Sequence, residues 1–184
     1  LNNNKVEIIN FNYLKINKAI EEIDYKSLLK SYFDYDDFRE IIIKNNENKD
    51  KIISQKDIIK YILNEFYYPN KKVRDAILVN STGSGKSLIF QFVAKYLFDK
   101  ENLITIVIEP LKAIMVDQVD YLQKRFGEFV EKLNSDTSRN QKDKIIENIS
   151  SNKTSMLYIS PEFFANNNIK KILSTRKIGL FVID

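Results

Sequence analysis

The chain has 184 residues, 43% of them apolar, with 29 Lys and Arg against 25 Asp and Glu for a formal net charge of +4. That is long enough for one domain with an appendage, and a mildly basic surface is compatible with a polyanionic partner without identifying one. There is no Cys and no His, which excludes thiol catalysis, disulfides, imidazole acid–base chemistry and a Cys/His zinc site within these residues, and no apolar run approaches the ~20 residues of a membrane span.

Residues 1–50 have helical periodicity: Ile16, Ala19, Ile20 and Ile23 recur at three- and four-residue steps, as do Leu28, Leu29 and Phe33. The polar stretch 45–50 reads as a loop or insertion. Helical spacing returns over residues 52–66 with Ile58, Ile59, Ile62, Leu63 and Phe66, and ends at Tyr67-Tyr68-Pro69-Asn70. From there strands and helices alternate. A strand is expected at 76–79 and a helix at 88–98. Residues 103–108 are apolar almost throughout, as a strand covered on both faces should be, and Pro110 closes them. A helix over 111–126 has Gly127 as its stop. The stripes Phe90/Val93/Ala94/Leu97 and Ile114/Met115/Val119/Leu122 read as core. A short strand at 129–133, a helix at 139–149, a strand at 156–159, a helical turn at 161–164 and a strand at 179–183 complete the chain. The alternation predicts an α/β fold with a parallel sheet flanked by helices and a helical N-terminal extension, divided into 1–50 and 51–184. Ligands are then expected at the carboxyl ends of the strands.

Residues 81–87 read Ser81-Thr82-Gly83-Ser84-Gly85-Lys86-Ser87 between the expected strand and helix. This is a phosphate-binding loop. Successive backbone N–H groups and a helix N-terminus suit a polyphosphate. Gly83 and Gly85 supply positive φ angles, Lys86 is placed to reach the outer phosphates, and the Ser87 hydroxyl suits Mg²⁺. The first glycine of the full G-x-x-x-x-G-K-[ST] pattern is replaced by Asn80. The last strand, ending Val182-Ile183-Asp184, has the form of a Walker B strand, whose aspartate is expected beside the metal. ATP and Mg²⁺ are therefore the expected cofactors, with Lys86 and Asp184 as catalytic residues and Ser87 and Asp184 as metal ligands.

The motifs between these points narrow the family. The segment 108–119, Ile-Glu-Pro-Leu-Lys-Ala-Ile-Met-Val-Asp-Gln-Val, resembles motif Ia of superfamily 2 helicases, and of their RecQ family in particular. Leu133-Asn134-Ser135 with Ser138-Arg139, and Leu157-Tyr158-Ile159-Ser160-Pro161-Glu162, are similar to further segments of that family in the same order. Upstream, 33–39 resembles the aromatic-and-arginine half of the family's adenine-recognition motif, with Arg39. The glutamine expected three residues later is absent, and Gln55 takes its place only across an insertion of about thirteen residues. Gln55 is therefore either the adenine contact or an ordinary helix-start residue.

The resemblance implies the first RecA-like lobe of a helicase truncated within motif II, which works with a second lobe to translocate on single-stranded or forked DNA, RNA remaining open. An intracellular setting, cytoplasmic or nucleoid/nuclear, without a membrane partner, follows from it. Candidate nucleic-acid contacts lie in the turns after the strands: Pro110, Leu111 and Lys112; Ser135, Ser138 and Arg139; Ser160 and Pro161. The same residues are also ordinary helix caps, helix starts and surface positions. The 184 residues alone are expected to hydrolyse ATP negligibly, for want of the second lobe's arginine finger. A module that binds nucleotide and nucleic acid without unwinding is the alternative.

Overall fold

The computed structural model describes residues 16–44, 50–69, 76–79, 83–165 and 173–184. They form two compact units, the first extending to Ile89 and the second starting at Phe90.

In the first unit α1 (Lys18–Glu21) and α2 (Tyr25–Phe33) are followed by strands β1 (Glu40–Lys44) and β2 (Asp50–Ser54) and by helix α3 (Gln55–Tyr67). Side-chain caps start all three helices. Asn17 accepts from the Ala19 N–H, Asp24 from the Ser27 N–H, and Ser54 and Asp57 form a reciprocal capping box. Ile20, Tyr25, Leu29, Phe33, Ile58, Ile59 and Leu63 are buried. The buried amide of Asn64 joins α3 to the start of α1 by accepting the Asn17 N–H at 2.8 Å. After α2, Lys30 pairs with Asp34 and Asp36, and Lys26 with Asp37. These pairs are exposed and add little stability.

Two expectations fail here. Helical periodicity does not continue to residue 50, because β1 and β2 pair antiparallel from Glu40↔Ser54 to Lys44↔Asp50. The reason lies in Ile41-Ile42-Ile43 and Ile52-Ile53: consecutive β-branched side chains lose rotamer freedom in a helix and suit a ladder. The helix expected from residue 52 begins instead at Gln55, since Ser54 is its cap. Residues 45–49 of the expected loop lie outside the described residues, and Asp50 opens β2.

The strand expected at 76–79 is also not formed. These residues join no ladder among the described residues, and Ile77 and Val79 are 78% and 85% exposed. A strand needs a hydrogen-bonded neighbour on at least one edge and a face to pack against, so an apolar sequence alone does not make one. Helix α4 (Lys86–Glu101) starts directly after the turn at residues 83–85.

The second unit contains β3 (Ile104–Ile108), α5 (Lys112–Phe126), β4 (Val130–Leu133), α6 (Arg139–Ser150), β5 (Met156–Ile159), the single turn α7 (Pro161–Phe164) and β6 (Ile178–Ile183). The strands form a parallel sheet in the order β4-β5-β3-β6, the expected α/β arrangement. On one face Ile104, Ile106, Leu133, Leu157 and Ile159 pack with Ile145 and Ile149 of α6. The alternate residues Val107 and Tyr158 are buried on the opposite face. Helix α5 buries Met115, Val119, Leu122 and Phe126, and Gly127 caps it with a φ of 67°. Two stripe residues depart from expectation: Ile114 is exposed and Phe90 is only half-buried.

Before β6 the buried Arg176 guanidinium donates to the Ile149 and Asn102 carbonyls at 3.1 and 2.9 Å, joining the ends of α6 and α4. The register of β3 with β6 slips at Gly179, where an added Cβ would lie 2.8 Å from the Cβ of Leu103. Because all four strands are parallel, the turns after β3, β4 and β5 and the terminal Asp184 after β6 share one edge of the sheet.

Candidate functional site

Ser81 and Thr82 lie outside the described residues. Gly83 and Gly85 both have left-handed backbones, with φ of 77° and 83°. A Cβ on Gly83 would meet nothing within 4 Å, whereas one on Gly85 would lie 2.4 Å from Nε2 of Gln55. The neighbour responsible is a residue the sequence placed ambiguously. Gln55 is the first residue of α3 and is wholly buried. Its Nε2 donates to the Gly85 carbonyl at 2.9 Å, its Oε1 accepts the Arg39 N–H at 2.9 Å, and its own N–H donates to the Arg39 carbonyl at 2.9 Å. The Arg39 guanidinium lies 3.5 Å from the Gly83 carbonyl.

Arg39 and Gln55 thus meet because the β1–β2 hairpin leaves and returns between them. The additional residues that separate them in sequence are this hairpin. Covered and bonded on both sides of its amide, Gln55 braces the loop from below. Lys86 and Ser87 are the first two residues of α4, both half-buried. The buried Ser84 Oγ has no hydrogen-bond partner among the described residues. A turn with two left-handed glycines, an open side at Gly83, an orphaned hydroxyl and a helix start fits a phosphate group.

In the second unit the Asp184 carboxylate is exposed at the sheet edge, and its Oδ2 lies 3.4 Å from Nε2 of Gln118 on α5. The Gln118 Oε1 accepts from the Tyr158 hydroxyl at 2.9 Å and from Nε2 of Gln91 at 3.2 Å. Gln91 Nε2 also donates to the Tyr158 oxygen at 3.1 Å. Tyr158 is fully buried, and burial pushes its hydroxyl far above the ordinary tyrosine range. None of these three residues has a role that its type and spacing in the sequence would assign. A signal was present in Gln91, a lone polar residue inside the apolar run Leu88 to Ala94.

Glu109, 3% exposed, accepts the Leu111 N–H at 2.8 Å. Burial pushes its carboxyl above the ordinary value of 4.5, the Leu111 bond opposes the shift, and the charge of Asp184 adds to it. A carboxyl with a raised folded-state pKa favours the folded state at low pH. It loses that contribution as pH rises from its unfolded value through its folded one. We therefore expect Glu109→Gln, which can keep the Leu111 bond, to raise the melting midpoint at pH 7.5 and to leave it unchanged at pH 3.5. Equal shifts at both pH values would show that ionisation is not the cause.

The candidate nucleic-acid residues divide by surroundings. Pro110 and Leu111 are exposed. Lys112 opens α5, and its ammonium is hydrogen-bonded to the Ser135 hydroxyl and paired with Asp136 at 3.0 Å. That lysine holds the Asp136 carboxyl below the ordinary carboxylate range. Ser138 caps α6 in a box with Gln141, and Arg139 is exposed on its first turn. Ser160 is buried at the start of α7, with Pro161 next to it. The Ser160 Oγ is buried without a hydrogen-bond partner among the described residues.

A phosphate loop at a helix start and a parallel sheet ending in an aspartate define a P-loop α/β protein with a RecA-like lobe. The sequence profile of the DEAD/DEAH box helicases matches residues 53–184, and the chain belongs to that family. It is 33% identical over 169 residues to the ATP-dependent DNA helicase RecQ of Haemophilus influenzae, covering 92% of this chain and 23% of that one. It is 31% identical over 122 residues to RecQ of Synechocystis sp., covering 62% and 24%. Identity to the ATP-dependent DNA helicase Q5 of Rattus norvegicus is 32% over 117 residues, covering 60% and 12%. The RecQ resemblance is borne out, and the chain spans less than a quarter of the length of these curated relatives. No described helix is long and apolar enough to cross a membrane.

Proposed function

We propose that this chain is the ATP-binding first motor lobe of an ATP-dependent DNA helicase, acting inside the cell on single-stranded or forked DNA with a second RecA-like lobe. The observation that carries the reading is the turn at residues 83–87, braced by Gln55 and Arg39 and open on its Gly83 side. Lys86 and the loop amides bind the phosphates, and Ser81 and Thr82 belong to the same sequence motif. Arg39 and Gln55 fix the loop's shape, and adenine contact by Gln55 requires its amide to leave Gly85. Ser87 and Asp184 have the hydroxyl and carboxylate oxygens that suit Mg²⁺, which when bound neutralises charge on the phosphates.

The turns at 110–112, 135–139 and 160–161 follow the sugar-phosphate backbone. Single-stranded DNA should stimulate ATP turnover by the full-length protein, and the 184 residues alone should turn ATP over negligibly. Turnover indifferent to nucleic acid would reject the motor reading.

The Lys112–Asp136 pair makes a graded test. Asp136 competes with phosphate for the lysine, and an exposed pair of this kind holds it only weakly. Asp136→Asn should therefore tighten single-strand binding about 1.5- to 5-fold at low salt. Lys112→Ala should weaken it and reduce the log–log salt slope by about 0.7. Fluorescence anisotropy across a salt series measures both, and an unchanged slope would remove Lys112 from the interface.

A further inference from the structure

We propose that Gln118 is a positioning residue for the Asp184 carboxylate, held in its working orientation by Tyr158 and Gln91. The inference rests on the reading of Asp184 as a magnesium ligand. An amide presents an oxygen on one side and an NH₂ on the other, and the two are interchangeable unless their neighbours distinguish them. Here they do. The Gln118 Oε1 receives the Tyr158 hydroxyl and the Gln91 amide, so the side facing Oδ2 of Asp184 is the donor.

Tyr158 is suited to this because its hydroxyl stays protonated and its ring is fully buried in the sheet. Gln91 is itself 5% exposed. Three elements, α4, β5 and α5, therefore converge on one amide. A neutral donor on Oδ2 restrains the carboxylate's rotation and leaves Oδ1 unengaged by this amide. A basic side chain in the same place would compete with a cation, and an apolar one would leave the carboxylate free to turn. A partner that orients a metal-ligating carboxylate commonly changes metal affinity about 10- to 100-fold when lost.

The test is a Mg²⁺ titration of the full-length protein with a fluorescent ATP analogue, repeated in EDTA to give the metal-free affinity. Gln118→Leu should raise the half-saturating Mg²⁺ concentration about tenfold. Its metal-free nucleotide affinity should stay within about twofold of the parent. Tyr158→Phe, which keeps the ring and removes the hydroxyl, should shift it in the same direction by a smaller factor and covers the case in which Gln118→Leu fails to fold. Asp184→Asn is the reference. If it raises the Mg²⁺ requirement while Gln118→Leu and Tyr158→Phe do not, the positioning role is wrong and the metal reading stands. If Asp184→Asn itself changes nothing, the metal reading fails and this inference with it. A parallel loss of metal-free affinity in Gln118→Leu would make the amide scaffolding and would also overturn the proposal.

Discussion

Lys86→Ala should reduce ATP turnover by the full-length protein about 10²- to 10³-fold, the usual consequence of removing one well-placed donor from a site where charge develops. Lys86 opens α4, where the helix N-terminus already favours an anion, so its ammonium adds to a field that the backbone begins. Methyl truncation leaves the backbone contribution and removes the point charge. Nucleotide affinity should fall as well, and with it the rise in melting temperature that nucleotide gives. Lys86→Arg should recover little, because a planar guanidinium has a different reach and shape from an ammonium. Steady-state turnover and a thermal melt on the same preparations measure both effects. Residual turnover above about a tenth of the parent's would place the phosphate charge elsewhere.

Gly85→Ala should be the most damaging single-methyl change in the loop, and the damage should reach stability as well as binding. The residue has a φ of 83°, which an L side chain adopts at a cost of about 1–2 kcal/mol. Its Cβ would also lie 2.4 Å from Nε2 of Gln55, so that buried amide must leave the Gly85 carbonyl. An abandoned buried hydrogen bond costs about 1–3 kcal/mol more. Gly83→Ala is the natural control, with a similar φ of 77° but no atom within 4 Å of its Cβ. In nucleotide-free protein we expect Gly83→Ala to incur the backbone cost alone and Gly85→Ala to exceed it. Gln55→Ala combined with Gly85→Ala should cost less than the sum of the two, because truncating Gln55 removes the clash and the Gln55–Gly85 hydrogen bond is lost only once. Denaturant unfolding of the four variants completes the cycle. Additive costs would mean that the Gln55–Gly85 contact does not couple the pair.

Much of the sheet was legible in the sequence because parallel strands covered on both faces are apolar along their length. Met156–Ile159 and Pro161–Phe164 fall where the pattern predicts them, and β3, β4, β6 and α6 differ by one residue at an end. The hairpin was not legible. Its isoleucines sit in a stretch whose upstream neighbours follow a helical repeat, and the pairing that makes them strands joins residues up to fourteen positions apart, Glu40 to Ser54. Residues 76–79 fail in the opposite direction: apolar and β-branched, yet without a ladder among the described residues. At the candidate site, Gly83, Gly85 and Lys86 announce themselves by type and spacing. Gln91 stands out only as a polar residue in an apolar run, and Gln118 and Tyr158 not at all, because a single amide or phenol in a chain carries no sign that three of them will share hydrogen bonds. Gln55 needed the fold to show that Arg39 is its neighbour.

The hairpin between those two residues has an evolutionary consequence. Two antiparallel strands can lengthen or shorten by matched pairs while the points where they depart and rejoin stay fixed, so growth there leaves the loop's brace undisturbed. Sequences that differ greatly in this interval can share the same arginine–glutamine junction, and a linear comparison will score them as divergent where their geometry is the same.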